Sequence, residues 1–160
     1  MAARLIVHRG TREIGGSCLE LATNKTRIIL DVGLPLVNGD RQPFDNSTLP
    51  GKTIGDLVEL GVAPRVPGLF LDGPRPDAIL LSHSHLDHSG LLNQTHSDIP
   101  IYTSSGTSKM LLAGSVFGRQ QSPPRSRLKT LNLGKTFMIH QERSHQDIAD
   151  HQSFTQVQSF

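Results

Sequence analysis

An α/β domain built on a central sheet is what this sequence predicts, and three observations carry the prediction. Two strand-like segments, 17–22 and 26–32, flank Asn24-Lys25, a turn pair suited to a β-hairpin. Downstream, strand-length apolar runs alternate with helix-length ones, the order that builds layered α/β folds. Composition agrees: 36% apolar residues, with 15 Gly and 10 Pro among 160, reads as strands and loops rather than a helical bundle. At this length one domain with its own core is expected, assigned to 1–160 as a whole.

Taken in order, 4–8 is a short apolar strand, and 17–22 alternates with period two. The run 26–32 is rich in β-branched residues and ends at Gly33. Asp31 closes that run, where a carboxylate costs energy unless it is hydrogen-bonded or near a cation. Capping of the turn and proximity to a metal explain it equally well. Seven prolines, Pro35, Pro43, Pro50, Pro64, Pro67, Pro74 and Pro76, then break the rhythm, so 35–76 reads as a loop-rich insertion near the mouth of a site. Within it 53–60 predicts a short helix with Leu57 and Leu60 on one face. Ala78 to Leu81 is a buried strand, 89–93 starts a helix, 99–103 is a strand and 106–116 a helix. Residues 122–127 read as a loop and 135–139 as the last clear strand. From 140 to 160 Gln and His dominate, hydrophobic alternation fades, and no element is predicted.

The chemistry concentrates in Leu81-Ser82-His83-Ser84-His85-Leu86-Asp87-His88-Ser89-Gly90. Three imidazoles and a carboxylate within six residues form a donor set for a borderline-soft divalent ion, zinc above all. Alternate side chains of an extended chain share a face, so His83 and His85 are expected side by side. A turn into helix near Ser89 would set Asp87 and His88 beside a second ion. The bland alternative is a solvated His-rich loop.

The single cysteine, Cys18, excludes an internal disulfide and fits a reducing compartment; its alternating apolar surroundings favour a packing thiol over a nucleophile. The N-terminus is too poor in apolar residues for a signal peptide, and no run is long enough to span a bilayer. A soluble cytoplasmic protein is expected. Net charge is only +2, but Arg119, Arg125, Arg127 and Lys129 cluster in what should be an exposed loop. Such a cluster either meets the phosphates of a nucleic acid or is simply solvated.

His83, His85, Asp87 and His88 match the H-x-H-x-D-H signature of the metallo-β-lactamase fold superfamily, which this chain resembles. The strand-closing Asp31 before Gly33 matches a second mark of that superfamily. The segments Arg12-Glu13-Ile14-Gly15-Gly16-Ser17-Cys18 and Ile101-Tyr102-Thr103-Ser104-Ser105-Gly106-Thr107 are similar to its RNA- and DNA-processing branch, the one that includes the RNase J-like, β-CASP nucleases. The resemblance spans about residues 4–139. It implies an αββα sandwich with up to two zinc ions at one edge. His83, His85 and a later histidine would hold the first ion; spacing from Ile139 favours His151 over His145 for that role. Asp87 and His88 would hold the second, with Asp87 also facing the attacking water. Asp31 or Ser82 would orient the ligating imidazoles.

In that family a bridging Asp and a final His come from the C-terminal half, and neither has a counterpart before Phe160. The chain therefore reads as the N-terminal half of the sandwich. The implied function is hydrolysis of RNA phosphodiesters by a metal-activated water. A thioester or lactone hydrolase of the same fold, or an inactive fragment, are the rivals. The chain by itself is expected to bind metal weakly and hydrolyse poorly. An uncovered sheet face would favour self-association.

Overall fold

The computed structural model describes residues 2–11, 13–118, 121–132, 134–140 and 154–158. A six-stranded sheet runs in chain order: β1 (Arg4–Arg9), β2 (Cys18–Ala22), β3 (Arg27–Leu30), β4 (Ala78–Leu80), β5 (Ile101–Ser104) and β6 (Leu128–Leu131). The first three strands are antiparallel neighbours, and β3 to β6 are parallel. The expected hairpin is present, with Leu21 opposite Ile28 and the Thr23 hydroxyl accepting from the Lys25 and Thr26 amides in the turn. Helix α1 (Ile54–Glu59) begins with a capping box between Thr53 and Asp56. Helix α3 (Ser105–Phe117) is capped by Ser104. Between them lies the four-residue α2 (Leu86–Ser89).

Strand alternation sorts the core into two layers. Ile29, Ile79 and Ile101, each fully buried, face one side, where Leu57 of α1, Leu111 of α3 and Val66, Leu69 and Phe70 cover them. Burying each isoleucine stabilises the fold by about 1.5–3 kcal/mol. Ile28 and Ala78 face the other side and meet Ile139. Ile139 lies on β7 (Thr136–His140), which pairs with β8 (Phe154–Gln158) in a separate two-stranded sheet. Tyr102 stacks on Phe137 there, with ring centroids 5.7 Å apart. Helices, central sheet and second sheet thus make the α/β layering expected from the sequence. Leu5, Val7 and Leu21 are exposed on β1 and β2.

Residues 35–76 contribute α1 and the buried Val62, Ala63, Val66, Leu69 and Phe70. Arg27 fastens this segment to the sheet by donating to the Pro67 and Pro74 carbonyls, while its Nη2 meets Glu20 at 2.9 Å. Burial raises the Glu20 carboxyl, but hydrogen bonds and charge from Arg27 and His8 outweigh it, leaving Glu20 below the usual glutamate range. A depressed carboxyl adds stability above its unfolded pKa and loses it as pH falls through the folded one. Stability should therefore drop in the acid range. Glu20→Gln should flatten that part of the profile, as urea midpoints measured against pH would show.

Two expectations need correction. The segment 119–129 is not an exposed loop throughout. A tight helical turn, Arg125–Arg127, leads straight into β6, and Arg127 is only 7% exposed. Its guanidinium donates to the Ile99 and Leu92 carbonyls and to Thr95 Oγ1, tying together buried polar groups of the segment before β5. Arg127 is therefore a clamp on the core and not a phosphate contact. Arg125 and Lys129 are exposed, and Arg119 lies outside the described residues. The helix expected from Ser89 starts earlier, at Leu86. His85 occupies its N-cap in extended conformation with no side-chain cap, so the usual start signal is missing from the sequence. Beyond Gly90 the chain makes only a short helical turn, Leu92–Asn93–Gln94.

Candidate metal centre

The site forms where β3 and β4 end side by side. Asp31 continues the ladder, its amide donating to the Leu80 carbonyl, and then adopts a left-handed conformation with φ 58°. Asparagine and aspartate tolerate that region better than other residues with a side chain. The turn delivers the carboxylate, 7% exposed as a residue, across the end of β4. Its Oδ1 accepts from the Ser82 amide at 2.8 Å. Its Oδ2 accepts from Ser82 Oγ at 2.8 Å and from His88 Nδ1 at 2.7 Å.

These bonds fix proton positions. An ionised carboxylate only accepts, so His88 donates from Nδ1, and in a neutral ring that leaves Nε2 with its lone pair. Ser82 gives its one hydroxyl proton to Asp31, so at 2.9 Å it accepts from His83 Nδ1. His83 then also presents a bare Nε2. One carboxylate, directly and through one hydroxyl, sets the tautomers of two imidazoles. Of the two origins considered for Asp31, the structure places it beside the histidines.

One ligand atom each from His83, His85 and Asp87 lies within 4.8 Å of the others. The His83 and His85 rings meet edge to face with centroids 4.8 Å apart, and His83 and His88 with centroids 4.0 Å apart. His88 Nε2 sits 3.3 Å from Asp87 Oδ2. All four motif residues are thus brought together, His83, Asp87 and His88 half-buried and His85 exposed. Two imidazole nitrogens and a carboxylate oxygen this close together are a donor set suited to a divalent ion of borderline softness. His145 and His151 lie outside the described residues.

The backbone holds the motif rigidly. Val32 donates to His88 O, Leu34 to Leu86 O and Ser17 to Asp87 O, while Leu91 donates back to Val32 O. The loop containing Gly15 and Gly16 therefore also borders the site. A Cβ on Gly15 would lie 3.1 Å from Asp87 Cβ and 2.7 Å from Leu36 Cγ. The sequence marked this loop only through its family resemblance, because a glycine turn carries no signal of what it abuts. Cys18 takes no part: burial, aided by the Glu20 and Asp31 charges, pushes its thiol up to about 12, so it stays protonated.

Fold and motif together define a class, and comparison with known proteins agrees. The family model described as beta-lactamase superfamily domain matches residues 50–158. The chain belongs to that superfamily. A transcription termination factor FttA from Methanothermobacter thermautotrophicus is 34% identical over 112 residues, covering 68% of this chain and 15% of that protein. A probable RNase MJ4 from Methanocaldococcus jannaschii is 32% identical over 111 residues, covering 66% of this chain and 20% of that protein. The chain therefore spans a fifth or less of the length of these two relatives. Among solved structures, a protein of unknown function from Enterococcus faecalis V583 shares the fold, with TM-score 0.64 and 24% identity over 84% of this chain and 35% of that one.

Proposed function

We propose that this chain carries the metal-binding part of a divalent-metal-dependent hydrolase acting on RNA phosphodiesters, zinc being the ion its donors suit best. The observation carrying this reading is the convergence of His83, His85 and Asp87 within 4.8 Å, backed by an Asp31 carboxylate that frees Nε2 of both His83 and His88. Relatives bearing RNase and transcription-termination names support RNA over a thioester or lactone. Among the described residues no helix is long and apolar enough to cross a membrane.

A bound divalent ion supplies Lewis acidity, easing deprotonation of a water and offsetting charge on phosphate oxygens. The chain's residues do the rest. His83 and His85 present nitrogen donors, and Asp87 offers carboxylate oxygens both as a donor and as acceptor for the attacking water's proton. His88, held by Asp31, keeps its Nε2 beside Asp87. In the net reaction a water oxygen bonds to phosphorus, the ester P–O bond breaks, and a proton ends on the departing oxygen.

The test is a calorimetric zinc titration run beside cleavage of a single-stranded RNA. Zinc uptake by the wild type, with uptake and any cleavage lost in His85→Ala, is the expected result. Equal uptake by His85→Ala would overturn the reading. Exposed Arg125 supplies a further expectation. If it meets the RNA backbone, Arg125→Ala should reduce the slope of log affinity against log salt by about 0.7, the single-strand value for one phosphate contact.

A further inference from the structure

The ribbon beside Asp87 carries an apolar pair that the fold does not use. Gly15 bridges Pro35 in antiparallel fashion, which sets Ile14 directly opposite Leu36, and the Leu36 amide donates to the Ile14 carbonyl at 3.0 Å. Residues opposed in this way project to the same face of a ribbon. Ile14 is 65% and Leu36 45% exposed. Leu36 borders the metal-ligand cluster, because a Cβ on Gly15 would touch Leu36 Cγ and Asp87 Cβ at once, and Ile14 is the residue paired with it. The platform is pre-formed. Ser17 N to Asp87 O ties its one strand to the motif, and Phe44 N to Leu36 O ties its other strand to the chain beyond. The nearest carboxylate in sequence, Glu13, is engaged by Arg9 and by the Gly10 amide.

We propose that Ile14 and Leu36 form a subsite for the nucleobase adjoining the phosphate held at His83, His85 and Asp87, an inference that rests on the RNA reading above. Two aliphatic side chains offer van der Waals surface and no hydrogen-bonding edge, so the contact takes any base and reads none. A base is free to lie on them only if it leaves its own stack. The preferred substrate is therefore single-stranded and of tolerant sequence. Gly15 fits this role: any side chain there would collide with Leu36 and lie against Asp87, wedging the platform away from the site.

The experiment compares two ligands of equal length in the presence of zinc: a phosphorothioate-linked oligoadenylate, which resists cleavage, and the corresponding abasic ribose-phosphorothioate. Affinities come from fluorescence anisotropy. Wild type should bind the oligoadenylate about tenfold more tightly than the abasic strand. The double variant Ile14→Ser, Leu36→Ser should narrow that ratio to about twofold or less and leave the abasic affinity unchanged. Ile14→Phe, which enlarges the platform, should widen it. Because both residues are exposed, circular dichroism should show each variant folded. A ratio preserved in the double variant, or absent in wild type although both strands bind, overturns the subsite and leaves the RNA reading standing. Binding of neither strand by wild type overturns both.

Discussion

A single methyl group at Gly33 is expected to cost the fold about 3 kcal/mol or more and to take metal binding with it. An added Cβ would lie 1.7 Å from the Asp87 carbonyl oxygen and 2.2 Å from its carbon. Those atoms are backbone, already committed to Ser17 N, and belong to the turn that delivers Asp87. No side chain can swing aside to relieve the overlap, so the strand end and α2 must separate. Gly33 also donates to Ser17 O, and moving it loosens both neighbouring loops. Gly39 is the control, since a Cβ there meets nothing within 4 Å. Chemical denaturation of Gly33→Ala and Gly39→Ala should show a large fall for the first and almost none for the second. Equal stabilities would mean the close approach is not real.

Asp31→Ala is expected to weaken metal binding by about 10–100-fold, the range typical of residues that orient metal-binding histidines. Three partners lose their acceptor: the Ser82 amide, the Ser82 hydroxyl and His88 Nδ1. Both imidazoles are then free to adopt the other tautomer or rotate. Alanine also fits the left-handed backbone worse than aspartate does. Asp31→Asn separates the two effects. It tolerates the backbone and can still accept from the Ser82 amide, but one of its two terminal positions becomes a donor facing a donor. The asparagine variant should therefore keep most of the stability while losing affinity. Zinc titration with a parallel thermal melt measures both, and an alanine variant binding like wild type would remove Asp31 from the site.

The motif was legible because its ligands are close in sequence, and period-two geometry alone places His83 beside His85. The hairpin and α1 were legible for similar local reasons, turn chemistry at Asn24-Lys25 and a capping box at Thr53. What the sequence hid is non-local. Arg127 looks like any basic surface residue until the carbonyls of Ile99 and Leu92 arrive to meet it from 28 and 35 positions away. Strand β6 was missed because its exposed Lys129 and Thr130 give it no apolar alternation; pairing with β5 makes it a strand. The buried Val62 to Phe70 show no periodicity, since an irregular segment buries side chains without a repeating face. In the same way the Ile14–Leu36 pair exists only once Gly15 pairs with Pro35.

The contact between Asp31 and His88 spans 57 positions, whereas His83 and His85 are near neighbours at any degree of order. An unfolded chain thus keeps a rudimentary chelating pair but has no carboxylate to fix its protons. By linkage, the metal protects the native state only by the difference between its affinities for the two ensembles. The rise in melting temperature on adding zinc accordingly measures what folding adds beyond the local histidine pair, the contacts of Asp31 included. Chelator sensitivity of the fold, compared between wild type and Asp31→Asn, becomes a gauge of long-range order.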